Sequence, residues 1–270
     1  MTEIIQNYYD EQKAIFDEKY TIVLSSFNAE AIHKMRTTTK RLRGLFQLIQ
    51  FMSTEEFSAK EQLRKIRALF KYAGRIREIQ IEQWLLYGYE EKLSENFVEY
   101  HQYLLQREHK EISRFLKHIP VCDSSRVLDD DLIKGAIGSI DEMELTSKAS
   151  KFIAKKEKII YKIVQKHISN HRIHASRTIL KQLYYLHEIL IALSGKDKLL
   201  DITYDRMGEI EQMIGSWHDL INSSDYLNGF LKTAGGKNLK KYSVLKKFIK
   251  EQRDTMRQEI VKALQGITQF

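Results

Sequence analysis

The sequence contains little of what breaks or cross-links a chain: its 270 residues include one proline, one cysteine and 12 glycines. All-β and doubly wound α/β folds need many turns, and proline and glycine supply most of them, so the scarcity argues against both. The single cysteine excludes a disulfide within the chain and is typical of a reducing compartment.

Long apolar runs are also missing, since no stretch approaches about 18 consecutive apolar residues, the length of a membrane-spanning helix. The first residues lack the basic and apolar pattern of a signal peptide. Together with the single cysteine, these features predict a cytoplasmic protein without a membrane partner.

Apolar residues nevertheless make up 43% of the chain, and they recur every three or four positions. This is the spacing of helices that bury one face, so an all-α fold is predicted. Asn28 is expected to cap a helix over residues 29–52. Helices are also expected to end near Gly74 and Gly215, because glycine is a common helix terminator.

The second half of the chain resembles the first at a single offset of 141 residues, which predicts an internal duplication. The fold class expected is therefore two tandem helical bundles, over residues 1–119 and 144–270, which together form one domain. Residues 120–143 are predicted to be the linker. The matching pairs include His33 with His174, Arg36 with Arg177, Lys40 with Lys181, Gly74 with Gly215, and Glu78 with Asp219.

The sharpest local feature is HKMRTTTKRLR, residues 33–43. On a helix, its histidine and three of its cations lie within an arc of about 80°. A merely solvated basic face usually pairs its charges with acids one turn away, yet residues 33–54 contain no acid. The second copy, residues 174–185, has Gln182 and Tyr184 in place of two arginines. Both copies predict a surface that binds an anion.

The net charge of +8 is concentrated in two segments. Residues 33–77 hold twelve Lys or Arg against three Glu, and residues 148–187 hold ten against one. The rest of the chain therefore carries a net charge of −10. This distribution predicts a net-acidic helical scaffold that presents one cationic segment in each half.

The two motifs resemble those of the CHAD family, the conserved histidine α-helical domain. The resemblance implies two helical bundles about a pseudo-two-fold axis, with basic helix faces that line a central groove or pore. It also implies binding of inorganic polyphosphate, without a known reaction. Gln182, Tyr184 and His218, which stands where the first copy has Arg77, depart from the family's arginine-rich pattern.

The physical chemistry of polyphosphate fits these residue types. It is a flexible polyanion without bases, so a site for it needs many cations and no aromatic platform. Arginine forks onto phosphate oxygens, whereas lysine acts as a mobile point charge. We therefore expect a protein that binds polyphosphate, is not an enzyme, and needs no cofactor or metal. Its role would be either targeting to polyphosphate granules or sensing of the polymer.

The predicted binding residues fall into two sets. The motif residues are His33, Arg36, Lys40, Arg41, Arg43, His174, Arg177 and Lys181. The residues from neighbouring helices are Arg67, Lys71, Arg77, Lys155 and Lys162.

Two alternatives stay open at this point. A nucleic-acid-binding protein would place aromatic residues among the cations, and only Tyr184 and Tyr185 do so. A metal-dependent phosphohydrolase is suggested by the dipeptide His218–Asp219, but the further histidine and aspartate ligands such an enzyme needs cannot be assigned. Separately, the spacing of His167, His171 and His174 could place imidazoles on one helix face for a metal ion, but no nearby carboxylate completes the set. Glu78 and Asp219 are expected instead to orient basic side chains or to contact helix starts.

Overall fold

The computed structural model describes residues 1–119, 127–233 and 239–267, and within them it contains eleven helices and no β-strand. The all-α prediction is confirmed. The helices are α1 (Thr2–Ser26), α2 (Ala29–Met52), α3 (Ala59–Gln62), α4 (Arg64–Leu93), α5 (Val98–His118), α6 (Asp130–Gly138), α7 (Glu142–Val164), α8 (Asn170–Tyr185), α9 (His187–Ser194), α10 (Tyr204–Thr233) and α11 (Leu239–Gln265).

Helix α2 begins and ends where the sequence predicts. The Asn28 side chain accepts hydrogen bonds from the backbone amides of Glu30 and Ala31, both at 3.0 Å, and so caps the first turn. One face of the helix, which includes Met35 and Leu42, is fully buried. The polar residues of the motif are therefore directed to the other side.

The predicted helix ends at Gly74 and Gly215 are wrong. Both glycines lie inside 30-residue helices, α4 and α10. A glycine inside a helix costs about 1 kcal/mol relative to alanine, which packing of the neighbouring turns outweighs. Another side chain, described below, passes so close to Gly74 that only glycine leaves room for it.

The predicted linker, residues 120–143, contains a helix. Residues 120–126 lie outside the described residues, but α6 occupies Asp130–Gly138 and buries Ile133 and Ile137. Asp129 caps its first turn by accepting a hydrogen bond from the amide of Leu132 at 3.2 Å. The apolar face of α6 packs on α1. In the sequence, the acids at the start of this helix interrupt its short apolar pattern, so the pattern does not predict the helix.

Two hydrophobic clusters hold the chain together, and each draws on both halves of the sequence. The larger includes Phe46 from the first half and Leu183 from the second. The smaller joins Tyr100 of α5 to Phe230 of α10 and to Tyr242 of α11. The motif-bearing helices α2 and α8 consequently pack against each other, and α4 packs on α10.

No helix within the described ranges is both long enough and apolar enough to cross a lipid bilayer.

Candidate functional site

Helices α2, α4, α8 and α10 enclose a central cavity of about 490 Å³. Each of the four packs on two of the others, so the cavity lies where the two halves of the chain meet. Its walls combine cations with three acids, Glu78, Glu211 and Asp219. The cations among its described lining residues are Arg36, Lys40, Arg43, Arg77, Arg177 and Lys181.

The spacing of the motif on α2 directs its polar side chains into this cavity. His33, Arg36 and Lys40 recur every three to four residues, which is one face of a helix, and all three line the cavity. Helix α8 contributes Arg177 and Lys181 at the same spacing. The two cationic faces therefore meet in one space.

Arg36 is held in place by the residues of α4. Its guanidinium lies over the Phe70 ring, 4.1 Å from the centroid, and donates a hydrogen bond to the Phe70 carbonyl oxygen. A Cβ atom on Gly74 would lie only 2.5 Å from Nη1 of Arg36, so glycine is needed for the side chain to pass. Burial lowers the pKa of Arg36 to about 10, and Glu78 opposes this shift.

Lys40 is the most strongly perturbed cation of the cavity. Burial, together with the neighbouring charges of Lys181, Arg36 and Arg177, lowers its pKa to about 7. Lys181 differs, since it forms an ion pair with Glu211. Lys40 is thus held among cations that raise the free energy of its charged form.

Two of the guanidinium groups have an open donor. The buried Nε atoms of Arg77 and Arg177 have no hydrogen-bond partner in the described part of the chain. Buried donors of this kind are rare in folded proteins because leaving one unpaired costs about 1–3 kcal/mol. Both arginines line the cavity through other atoms of their side chains.

The histidines of the site favour the neutral form when the cavity is free. Burial, followed by the charge of Arg77, lowers the pKa of His33. Burial and Arg177 lower that of His218 to about 4. His174 is not among the cavity-lining residues; its ring packs edge-on against His218, with centroids 5.3 Å apart. An incoming anion would favour protonation of these rings.

The acids of the site lie in the interiors of α4 and α10. Of the two roles expected for Glu78 and Asp219, this position fits the orientation of basic side chains rather than contact with the starts of these helices. Burial raises the pKa of both carboxyl groups. Nearby arginines oppose the shift, Arg36 for Glu78 and Arg177 for Asp219. Sequence reasoning missed Glu211 altogether, because its pairing with Lys181 arises only when α8 meets α10.

Seven of the thirteen predicted residues line the central cavity: His33, Arg36, Lys40, Arg43, Arg77, Arg177 and Lys181. Arg41 is not among the lining residues: its Nη1 donates to Oε1 of Gln12 on α1 at 3.3 Å, and its guanidinium lies beside the cavity-lining ring of Tyr185. Arg67 lines a neighbouring cleft with Arg43.

The remaining predicted lysines do not meet the cavity either. Lys71 is exposed on α4, and Lys155 and Lys162 are exposed on α7. The ammonium of Lys155 lies 5.8 Å from the centroid of the Phe51 ring.

The cavity-lining residues of α4 and α10 also correspond to one another at the offset of 141 residues. The lining residues of α4 are Phe70, Gly74, Arg77, Glu78 and Ile81, and those at the same offset on α10 are Glu211, Gly215, His218, Asp219 and Asn222. The two halves thus contribute corresponding positions to one site. Descent of the halves from a common ancestor stays a prediction.

Among the described residues, no group of three or more His, Cys, Asp or Glu side chains is arranged to hold a metal ion.

This architecture matches that of a known protein domain. The chain superimposes on the crystal structure of the CHAD domain from the plant Ricinus communis with a TM-score of 0.72 and 12% sequence identity. The superposition covers 99% of this chain and 91% of the plant domain. No significant match to a curated protein sequence was found. The CHAD domain sequence profile matches residues 14–228, and the chain therefore belongs to the CHAD domain family.

Proposed function

We propose that the chain binds inorganic polyphosphate in the central cavity and does not catalyse a reaction on it. The carrying observation is the excess of cations over acids in the cavity wall, six against three among the described lining residues. Like charges held this close repel one another unless an anion lies between them. The lowered pKa of Lys40 is the direct consequence of that crowding and of burial.

The arginines add hydrogen-bonding capacity to this charge. Arg77 and Arg177 both line the cavity, and each guanidinium carries several N–H donors. Phosphate oxygens are strong acceptors, and charge-assisted bonds to them are about twice as strong as neutral ones. A chain of linked phosphates could contact both arginines together, because each comes from a different wall of the cavity.

The aromatic residues favour polyphosphate over nucleic acid. Phe70 and Tyr185 line the cavity, but cations already lie over their rings. Arg36 and Arg43 lie over Phe70, at 4.1 and 5.1 Å from the centroid, and Arg41 lies 5.7 Å from the centroid of Tyr185. Nucleobases bind single-strand sites largely by stacking on open aromatic faces. A polyanion without bases needs no such face.

A competition experiment tests this proposal. Long-chain polyphosphate should bind at least about tenfold more tightly than single-stranded DNA or RNA of equal charge, because the latter lack a stacking surface here. The six cavity cations, when neutralised, should by themselves contribute about −4 to the slope of log K against log salt. Calorimetric titrations at two salt concentrations measure both quantities. Equal affinity for the three polymers would overturn the proposal, and phosphate release with divalent metals would overturn its non-enzymatic part.

Gly74 offers a variant that separates binding from folding. In Gly74→Ala the added Cβ would meet the tip of the Arg36 side chain at 2.5 Å and push its guanidinium out of position. We expect polyphosphate affinity to fall about tenfold, the value of one weakened charge-assisted hydrogen bond. Stability should change little, since alanine favours the helix by about 1 kcal/mol.

The matched controls are Gly88→Ala on the same helix and Gly215→Ala on α10. At Gly88 no atom lies within 4 Å of the added Cβ, and at Gly215 the nearest, Nη2 of Arg177, is at 3.9 Å. Both controls should bind polyphosphate as the wild type does. A loss of affinity in all three variants would assign the effect to helix rigidity and contradict the role of Gly74.

A further inference from the structure

A second cleft, of about 290 Å³, opens next to the central cavity. Helices α2, α3 and α4 and the residue between the last two supply its walls. Two residues, Arg43 and Phe70, line both spaces, so the cleft and the cavity are neighbours without an intervening element. The other residues of the cleft are Thr39, Lys60, Glu61, Leu63, Arg64, Ile66 and Arg67.

The rim of this cleft is cationic. The side chains of Lys60, Arg64 and Arg67 are exposed, and Arg43 adds a fourth positive charge. Among the lining residues the one acid is Glu61, whose carboxylate lies 3.5 Å from Nε of Arg64. Lys60 and Arg67 form no ion pair with any described residue. The cleft therefore has an uncompensated positive charge beside the central cavity.

Phe70 lies at the boundary between the two spaces, because its side chain lines both. Its ring is contacted by Arg36, which belongs to the central cavity, and by Arg43, which belongs to both. The two guanidinium groups are thus held on the same ring, at 4.1 and 5.1 Å from its centroid. Successive phosphates of one chain could therefore contact Arg36 and then Arg43, with a positive charge beside each phosphate.

Aromatic rings stand at two of the corresponding positions in the second half of the chain. At the offset of 141 residues, Arg43 and Leu63 correspond to Tyr184 and Tyr204. Those two rings stack on each other, with centroids 4.6 Å apart and an interplanar angle of 10°, and so occupy the corresponding space.

The cationic residues of the cleft also correspond to residues without positive charge in the second half. Arg67 corresponds to Gly208, and a Cβ there would lie 3.1 Å from the Tyr184 ring. The cations at positions 60 and 64 correspond to Asp201 and Asp205. The central cavity is therefore flanked by positive charge on the side of the first half and by tyrosines and acids on the side of the second.

We propose that this cleft is a second phosphate subsite, which binds the part of a polyphosphate chain that extends beyond the central cavity. The inference rests on the proposed function, since it assigns the same ligand to both spaces. A chain too short to pass Arg43 gains nothing from the cleft. A longer chain leaves the cavity on the side of the first half, where Lys60, Arg64 and Arg67 meet it.

The test compares two ligand lengths on one variant. The triple substitution Lys60→Gln/Arg64→Gln/Arg67→Gln removes three exposed charges, so the fold should be retained, as a thermal melt will check. We expect the affinity for long-chain polyphosphate to fall at least about tenfold and the salt slope to become shallower by about 2, or 0.7 for each lost contact. The affinity for inorganic tripolyphosphate should stay within about twofold of wild type, because the central cavity is unchanged.

The matched control is Lys240→Gln/Lys246→Gln/Lys250→Gln, which removes three exposed charges from α11. It should leave the affinity for both ligands within about twofold. If wild type binds neither ligand, the proposed function itself fails. If wild type binds both, but the cleft variant keeps full affinity for the long chain or loses affinity equally for tripolyphosphate, the second subsite is wrong. A loss of long-chain affinity in the α11 variant as large as in the cleft variant would also overturn it.

Discussion

The double variant Arg36→Gln/Arg177→Gln is expected to bind polyphosphate at least about 100-fold more weakly than wild type. One arginine comes from each half, and both line the central cavity. A hydrogen bond to a charged group contributes about 1.5–3 kcal/mol, so the loss of two such bonds corresponds to a factor of 100 or more. Calorimetric titration of long-chain polyphosphate measures the change.

Folding must be checked in the same preparation, because Arg36 also donates to the Phe70 carbonyl oxygen. The control is Lys155→Gln/Lys162→Gln, which removes two positive charges from exposed positions on α7. Its affinity should stay within about twofold of wild type. This control also decides whether those lysines take part in binding, as their sequence predicts. A folded arginine variant with undiminished affinity would place the ligand outside the cavity.

Lys40→Met is expected to stabilise the fold and weaken binding at the same time. Its pKa of about 7 in the folded protein lies well below the ordinary value of 10.5. Below pH 7 the charged side chain therefore destabilises the folded state, by roughly 2–4 kcal/mol, and methionine removes that cost. Polyphosphate binding should fall about tenfold or more, because a cation at the centre of the site is lost.

The sign of the pH dependence follows from the lowered pKa. Between pH 7 and 10 the unfolded state binds the Lys40 proton and the folded state does not, so wild-type stability should rise with pH in this range. The stability gain of Lys40→Met should accordingly be largest at pH 7 and below and shrink towards pH 10.

Polyphosphate is expected to raise the pKa of Lys40, whereas burial lowers it. Polyphosphate favours charged Lys40, so binding near pH 8 should be accompanied by proton uptake and should weaken as pH rises. Denaturant unfolding and titrations in two buffers of different ionisation enthalpy measure these effects. A less stable Lys40→Met variant, or binding by wild type without proton uptake, would contradict the prediction.

The parts of the site that lie on one helix could be predicted from the sequence. His33, Arg36, Lys40 and Arg43 share a face of α2 by their spacing alone, and the Asn28 cap fixes where that helix begins. The all-α class was predictable for the same reason, because the apolar spacing and the scarcity of breakers are local properties of the chain.

What depends on contacts between helices could not be predicted in this way. The resemblance of the motif to the CHAD family places Arg41 in the site, although helical spacing already turns it about 100° from Lys40; only the packing of α1 shows that it contacts Gln12 there. Lys155 and Lys162 are close to the second motif in sequence, yet α7 packs with these side chains exposed.

The glycines illustrate the same limit. A glycine in a helical pattern normally indicates an end, and only the path of Arg36 across α4 explains why Gly74 lies in the middle of a helix. The signal that could have identified this role was the offset of 141 residues, which pairs Gly74 with Gly215 just as it pairs Arg36 with Arg177.

Because the cavity and both hydrophobic clusters are shared between the halves, neither half can keep a working portion of the site when the other unfolds. Opening the contact between α4 and α10 separates the cations and exposes an incomplete core in the same step. Under the proposed function, a bound polyanion would supply counter-charge to cations from both halves and so stabilise the contact between them. Its binding free energy would add to global stability, and the melting temperature should therefore rise with polyphosphate concentration.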